Sequence, residues 1–98
     1  MKLAEQIHLD DRALIGWYML PASARGNILS TLAPLAGRTP DGWIRFDIER
    51  WFPEQDLFAL HIMVEQDELL VFFRPEEDGL RIEDLLLKET VDRFVGKL

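Results

Sequence analysis

Two apolar runs between residues 57 and 82 constrain the fold most. Leu57–Val64 is apolar at every position but His61, and Leu69–Phe73 is apolar throughout. Such short runs bounded by polar turns read as strands covered on both faces. Glu65 to Glu68 is a tight polar turn between them. Pro75-Glu76-Glu77-Asp78-Gly79 is a hairpin turn in which Asp-Gly supplies positive φ. Leu80 and Ile82 then open another strand. Strands joined by turns this short pair antiparallel. A sheet with such strands needs cover, and the rest of the chain has to provide it.

The first third supplies helices. Asp10 and Asp11 offer an N-cap and first-turn negative charge, and Leu14, Trp17 and Tyr18 follow at helical spacing. Leu20-Pro21 is a joint, because proline biases the preceding residue away from helix. Ile28, Leu32 and Leu35 line the next stripe, which Pro34 kinks or ends and Gly37 can close. The spacing predicts a helical hairpin over about residues 10 to 37. Before it, Lys2 to Leu9 alternates with Leu3, Ile7 and Leu9 on one side, which suits a short edge strand or else the opening of a helix. After it, Arg38 to Gly42 is a turn, and the period changes to two, with Ile44, Phe46 and Ile48 facing one way. Leu87, Val91, Phe94 and Val95 recur at helical spacing near the end, with Gly96 closing. The expected class is α+β. A helical hairpin and a C-terminal helix pack on an antiparallel sheet of three to five strands, in the order β-α-α-β-β-β-β-α, as one domain over residues 1–98.

Composition bounds the chemistry. With 98 residues, about 65% of the unfolded surface is buried on folding, enough for a core without staples. No cysteine is present, which removes disulfides, thiolate metal sites and a Cys nucleophile. The net charge is −7 and is uneven: residues 50–98 hold six basic and twelve acidic groups, whereas residues 1–49 hold five and six. No basic cluster of the kind that phosphate contacts require is visible. The acidic half reads either as a soluble surface or as a face for a basic partner. Met1 to Leu9 lacks the features of a signal peptide, and no run is long enough to span a bilayer, so the expected location is the cytoplasm, without membrane contact.

Motifs for chemistry are few. There is no Gly-x-Gly-x-x-Gly, no Walker-type loop and no Gly-x-Ser-x-Gly. No cofactor and no metal site is expected, since His8 and His61 lack ligand spacing. His61 reads either as a general base on a central strand or as a half-buried histidine satisfied locally. Glu76, Glu77 and Asp78 lack calcium-loop spacing and read as a charged hairpin tip, available to a partner. Trp43, Trp51 and Phe52 lie near Arg45 and Arg50. They suit a stacking or partner-binding platform, or else core and rim packing.

The element order and four local strings resemble the RelE/ParE toxin superfamily, from about residue 12 to 95. "ALIGWYMLPASARGNILSTLAPLAG" is similar to its helical hairpin. "DLFALHI" and "ELLVFFRPEEDGLRIEDL" resemble the following strands, and "LLKETVDRF" the closing Lys-containing segment. Members of that family mostly cut messenger RNA on the ribosome or poison gyrase. The RNA-cutting members set Arg and Lys, often with Tyr or His, around a concave sheet to neutralise charge developing at phosphorus. On that resemblance, Leu70 stands where an Arg is frequent and Phe94 where the terminal Tyr or His falls. Arg45, Arg50, Arg74 and Lys88 remain as candidate catalytic cations.

The resemblance and the charge together imply a non-catalytic protein-binding module on a RelE/ParE-like scaffold, related to toxin–antitoxin systems. Its partner would be an antitoxin-like or target protein, contacted through Trp43, Trp51, Phe52, Glu76, Glu77 and Asp78. One alternative is a ribosome-dependent mRNA interferase or gyrase-poisoning toxin, although the net charge disfavours ribosome or RNA as partner. Another is an acidic inhibitor of the phage or immunity type.

Overall fold

A computed structural model describes residues 1–96. The fold is α+β. Its elements are β1 (Lys2–Ala4), β2 (Ile7–Leu9), α1 (Leu14–Met19), α2 (Ala22–Leu32), β3 (Ile48–Phe52), β4 (Leu57–Val64), β5 (Asp67–Glu76), β6 (Gly79–Leu87) and α3 (Lys88–Val95), with 3-10 turns at Asp11–Ala13, Ala33–Leu35, Pro40–Trp43 and Pro53–Gln55. All six strands form one sheet in the order β1-β2-β6-β5-β4-β3. It is larger than the three to five strands expected and is mixed, because β2 runs parallel to β6, with Ile7 opposite Leu80 and Leu9 opposite Ile82. The helical hairpin turns the chain after β2, so β2 reaches the sheet without a tight turn to its neighbour.

Alternation along β4 and β5 divides the core in two. Phe58 and Leu60 of β4, with Leu69, Val71 and Phe73 of β5, face the helical hairpin and pack with Trp17, Ile28, Leu32 and Leu35. Ala59, Leu70 and Phe72 face the other way and pack under Val91 of α3. The helices therefore do not form a single layer. α3 covers part of the face opposite the hairpin, because β5 carries large apolar groups on both sides.

Three local readings differ from the expected ones. The first strand is a hairpin: β1 folds back on β2 through Glu5 and Gln6, and Gln6 takes a φ of 65°. No glycine or Asn-Gly signals that turn. The third strand begins late: the Arg45 N–H donates to the Ile48 carbonyl and the Ile48 N–H returns the bond to Arg45, closing a turn over Phe46 and Asp47. Ile48 is buried, but Ile44 is exposed and Phe46 is 96% exposed, so the three do not share an inward face. Tyr18 also leaves the core stripe and points its hydroxyl toward Met1 Sδ at 3.5 Å. Elsewhere the joints fall where proline predicts: α2 ends at Leu32, and Pro34 sits in the 3-10 turn that follows.

One glycine is obligatory. Gly79 opens β6 with a φ of 152°, and a Cβ there would lie 2.0 Å from the Gln6 carbonyl oxygen, the atom that accepts from the Leu80 N–H at 2.9 Å. The two hairpin turns are thus pressed backbone to backbone. Gly79→Ala should lower stability by about 2 kcal/mol or more, read as a lower midpoint in urea unfolding. An unchanged midpoint would mean that the turns are not in contact.

Candidate functional site

The face of the sheet that carries α3 has an apolar hollow. A groove of about 470 Å³ runs between α3 and the sheet. Its walls include Trp51, Phe52, Phe72, Leu86 and Phe94. The Trp51 and Phe72 rings meet edge to face with centroids 5.2 Å apart, which fixes the tryptophan against the floor. α3 leaves Phe94 70% exposed at the rim while Val91 is buried beneath it.

The polar end of the groove is built by a bulge. Phe72 pairs with Asp84 and Phe73 with Ile82, so Glu83 is an extra residue on β6. The bulge leaves Glu83 only 8% exposed, and two cations meet it there. Arg74 Nε lies 2.6 Å from Glu83 Oε1, off the N–H axis, so the contact is an ion pair rather than a directed hydrogen bond. Arg12 donates to Glu83 Oε2 from the other side and also to Asp10 Oδ1 at 3.2 Å. A buried carboxylate requires such company. The spacing of core residues in β6 carries the signal for this bulge: Leu80, Ile82 and then Leu85 step by two and then by three.

The four candidate cations are not brought to one cleft. Arg45 makes a fork to Asp47 beside the exposed turn, with Nη2 to Oδ2 at 3.0 Å. Arg50 lies 4.9 Å over the Phe58 ring, a residue of the hairpin-side core, with Nη2 3.2 Å from Asp41 and 3.5 Å from Asp56. Arg74 is held by Glu83, and Lys88 Nζ lies 2.6 Å from Asp92 Oδ2. Among the described residues each of the four thus has a carboxylate of its own chain. Donating a hydrogen bond to Asp47 raises the Arg45 pKa, and donating one to Asp92 raises that of Lys88. A lysine held more firmly protonated is a poor proton shuttle near neutral pH.

The aromatic residues also separate. Trp43 is 1% exposed and cannot touch a partner. Its Nε1–H donates to the Leu35 carbonyl at 2.8 Å, and its ring packs on Phe58 and Phe73 at 5.1 and 5.5 Å. This is a correction to the partner-binding set: an indole fits a core when its N–H finds an acceptor, and here it does. Trp51 is half-buried and Phe52 exposed, both in the groove wall. Glu77 and Asp78 are exposed at the β5–β6 turn, while Glu76 is drawn in by Arg81 and by His8 Nδ1 at 3.0 Å.

His61 lies on the α3 side between two carboxylates. Its Nε2 is 2.7 Å from Glu49 Oε1 and its Nδ1 3.1 Å from Glu68 Oε1. The carboxylates stand on opposite edges of the ring, so they do not converge on one point where an ion could sit. No group of three or more His, Asp or Glu suited to hold a metal occurs among the described residues. No helix among them is long and apolar enough to cross a membrane.

No family model and no curated protein matches it. It is similar to a solved structure titled the intact E. coli RelBE toxin-antitoxin complex. The identity is 15%, the match covers 85% of this chain and 95% of that one, and the TM-score is 0.49.

Glu49 links the site to pH. Its pKa is lowered, first by the hydrogen bond from His61 and then, against the opposing effect of burial, by the Trp51 indole N–H at 2.9 Å. A depressed carboxylate contributes stability that is present above its unfolded pKa and lost as pH falls through its folded pKa. Thermal unfolding of the wild-type chain followed from pH 7 to pH 2 should therefore show an acid loss that is smaller in Glu49→Gln. Identical acid limbs in the two proteins would remove Glu49 from the contributing groups.

Proposed function

We propose that this chain is a non-catalytic protein-binding module, working in a toxin–antitoxin type of pairing as its sequence resemblance suggests. The observation that carries the reading is the pairing of Arg45, Arg50, Arg74 and Lys88, each with a carboxylate of its own chain. A cation serves a phosphorane through its unneutralised charge, and a carboxylate beside it cancels much of the field it would offer there. The cations also lie on different faces. Leu70 is buried under α3, and Phe94 has no proton to transfer. What the α3 face offers instead is an apolar groove with aromatic walls, the kind of surface in which a partner's anchor side chains bind.

The reading separates binding from cation chemistry. A tagged wild-type chain and two variants would be used to recover partners from lysate, with growth recorded after induction. Arg45→Ala combined with Lys88→Ala should leave recovery and growth as in wild type. Phe94→Asp should lower recovery by about tenfold or more while the fold, followed by circular dichroism, persists. Growth arrest by the wild type that the double variant abolishes would replace this reading with that of a catalytic toxin.

A further inference from the structure

We propose that His61 is a proton-operated clasp across three neighbouring strands: its imidazolium holds Glu49 of β3 and Glu68 of β5 together, and loss of the proton releases Glu68 while Glu49 stays bound. The inference stands on the geometry of this cluster and does not depend on the protein-binding reading. Strands β5, β4 and β3 lie side by side in the sheet, and each supplies one of the three side chains. Both ring nitrogens meet a carboxylate oxygen, Nε2 at 2.7 Å from Glu49 and Nδ1 at 3.1 Å from Glu68. Only the imidazolium has an N–H to donate at each nitrogen. The neutral ring has one, and its other nitrogen presents a lone pair. A lone pair facing a carboxylate oxygen at hydrogen-bond distance is repulsive, so one contact opens when the proton leaves.

The two carboxylates are not equivalent, and the difference decides which is released. The Glu49 contact is the shorter, and the same Glu49 oxygen also accepts from the Trp51 indole N–H at 2.9 Å. Glu68 has no second hydrogen bond or ion pair among the described residues. The remaining proton therefore stays on Nε2, against Glu49. The facing element α3 brings Lys88, which adds to the lowering of the Glu49 pKa after the His61 hydrogen bond itself. Lys88 is engaged by Asp92 at 2.6 Å, and Arg93 lies 3.8 Å from Glu89. Both cations of α3 are thus matched within their own helix, and neither replaces the imidazolium for Glu68. Together with Asp67 these groups line the recess between the β4–β5 turn and α3. Release of Glu68 adds a free carboxylate to that recess, in the pH range where histidine changes charge.

The test follows the unmodified full chain by NMR from about pH 5.5 to pH 9, above the values at which unperturbed carboxylates titrate. The ring nitrogens of His61 and the side-chain carboxyl carbons of Glu49 and Glu68 are read together. The acid form should carry a proton on both nitrogens and the alkaline form on Nε2 alone. The Glu68 resonance should move through the same midpoint as the ring, and farther than that of Glu49. His61→Gln should abolish the Glu68 step, and Lys88→Gln should leave it in place. A Glu68 resonance that stays flat while the ring titrates overturns the clasp, and the wild-type chain alone can show this. So does a step that survives in His61→Gln or is lost in Lys88→Gln. An alkaline ring protonated on Nδ1, or a larger movement of Glu49 than of Glu68, overturns the release of Glu68.

Discussion

Strand β5 has no solvent side through its middle. Leu69, Val71 and Phe73 face the helical hairpin, Leu70 and Phe72 face α3, and both edges are paired, to β4 and to β6. Apolar side chains on both faces of one strand demand two covers, since each Å² left in water forfeits roughly 25 cal/mol. The helical hairpin supplies one and α3 the other. The order of elements follows from that requirement. Pro75 is tolerated in the same strand because pairing with β4 has already ended at Phe73, so no ladder bond to β4 is lost there.

The two covers differ in completeness, and the difference creates the groove. The hairpin side is closed by three rings, Trp43, Phe58 and Phe73, with the Trp43 N–H satisfied by backbone carbonyls. On the α3 side an eight-residue helix buries one valine and leaves Phe94 at the rim. A helix of eight residues spans about 12 Å, too little to cover the width of six strands. The uncovered part of that face is where Trp51, Phe52 and Leu86 stand.

The acidic excess acts locally as well as globally. Carboxylates outnumber cations, so a basic side chain readily finds one nearby, and the ion pairs of Arg45, Arg50, Arg74 and Lys88 are the result. Surface pairs of this kind contribute little to stability. Their larger consequence is for chemistry, since they occupy the groups that would otherwise serve an anionic substrate. Glu83 is the exception in being buried, and its two arginines tie the turn before α1 to the far side of the sheet.

Much of this was legible in the residues. Leu57–Val64 is a strand with those bounds, the helical hairpin lies where the proline joints put it, and Asp78-Gly79 makes the β5–β6 turn. These are decided by short-range pattern: apolar period, proline geometry and glycine at positive φ. The turn at Gln6 was hidden because an ordinary residue takes a φ of 65° where a glycine would have signalled it, and the turn over Phe46 and Asp47 was hidden because it sits inside an alternating apolar pattern and uses no positive φ. Trp43 and Trp51 look alike in sequence, yet one is a core ring and the other a groove wall. The sequence by itself determined the α+β class, the antiparallel run of strands and the acidic balance, since these depend on neighbours within a few residues. Only the tertiary structure decided which face α3 covers, which cations are already paired and where Glu83 is buried, because each depends on contacts between residues far apart in the chain.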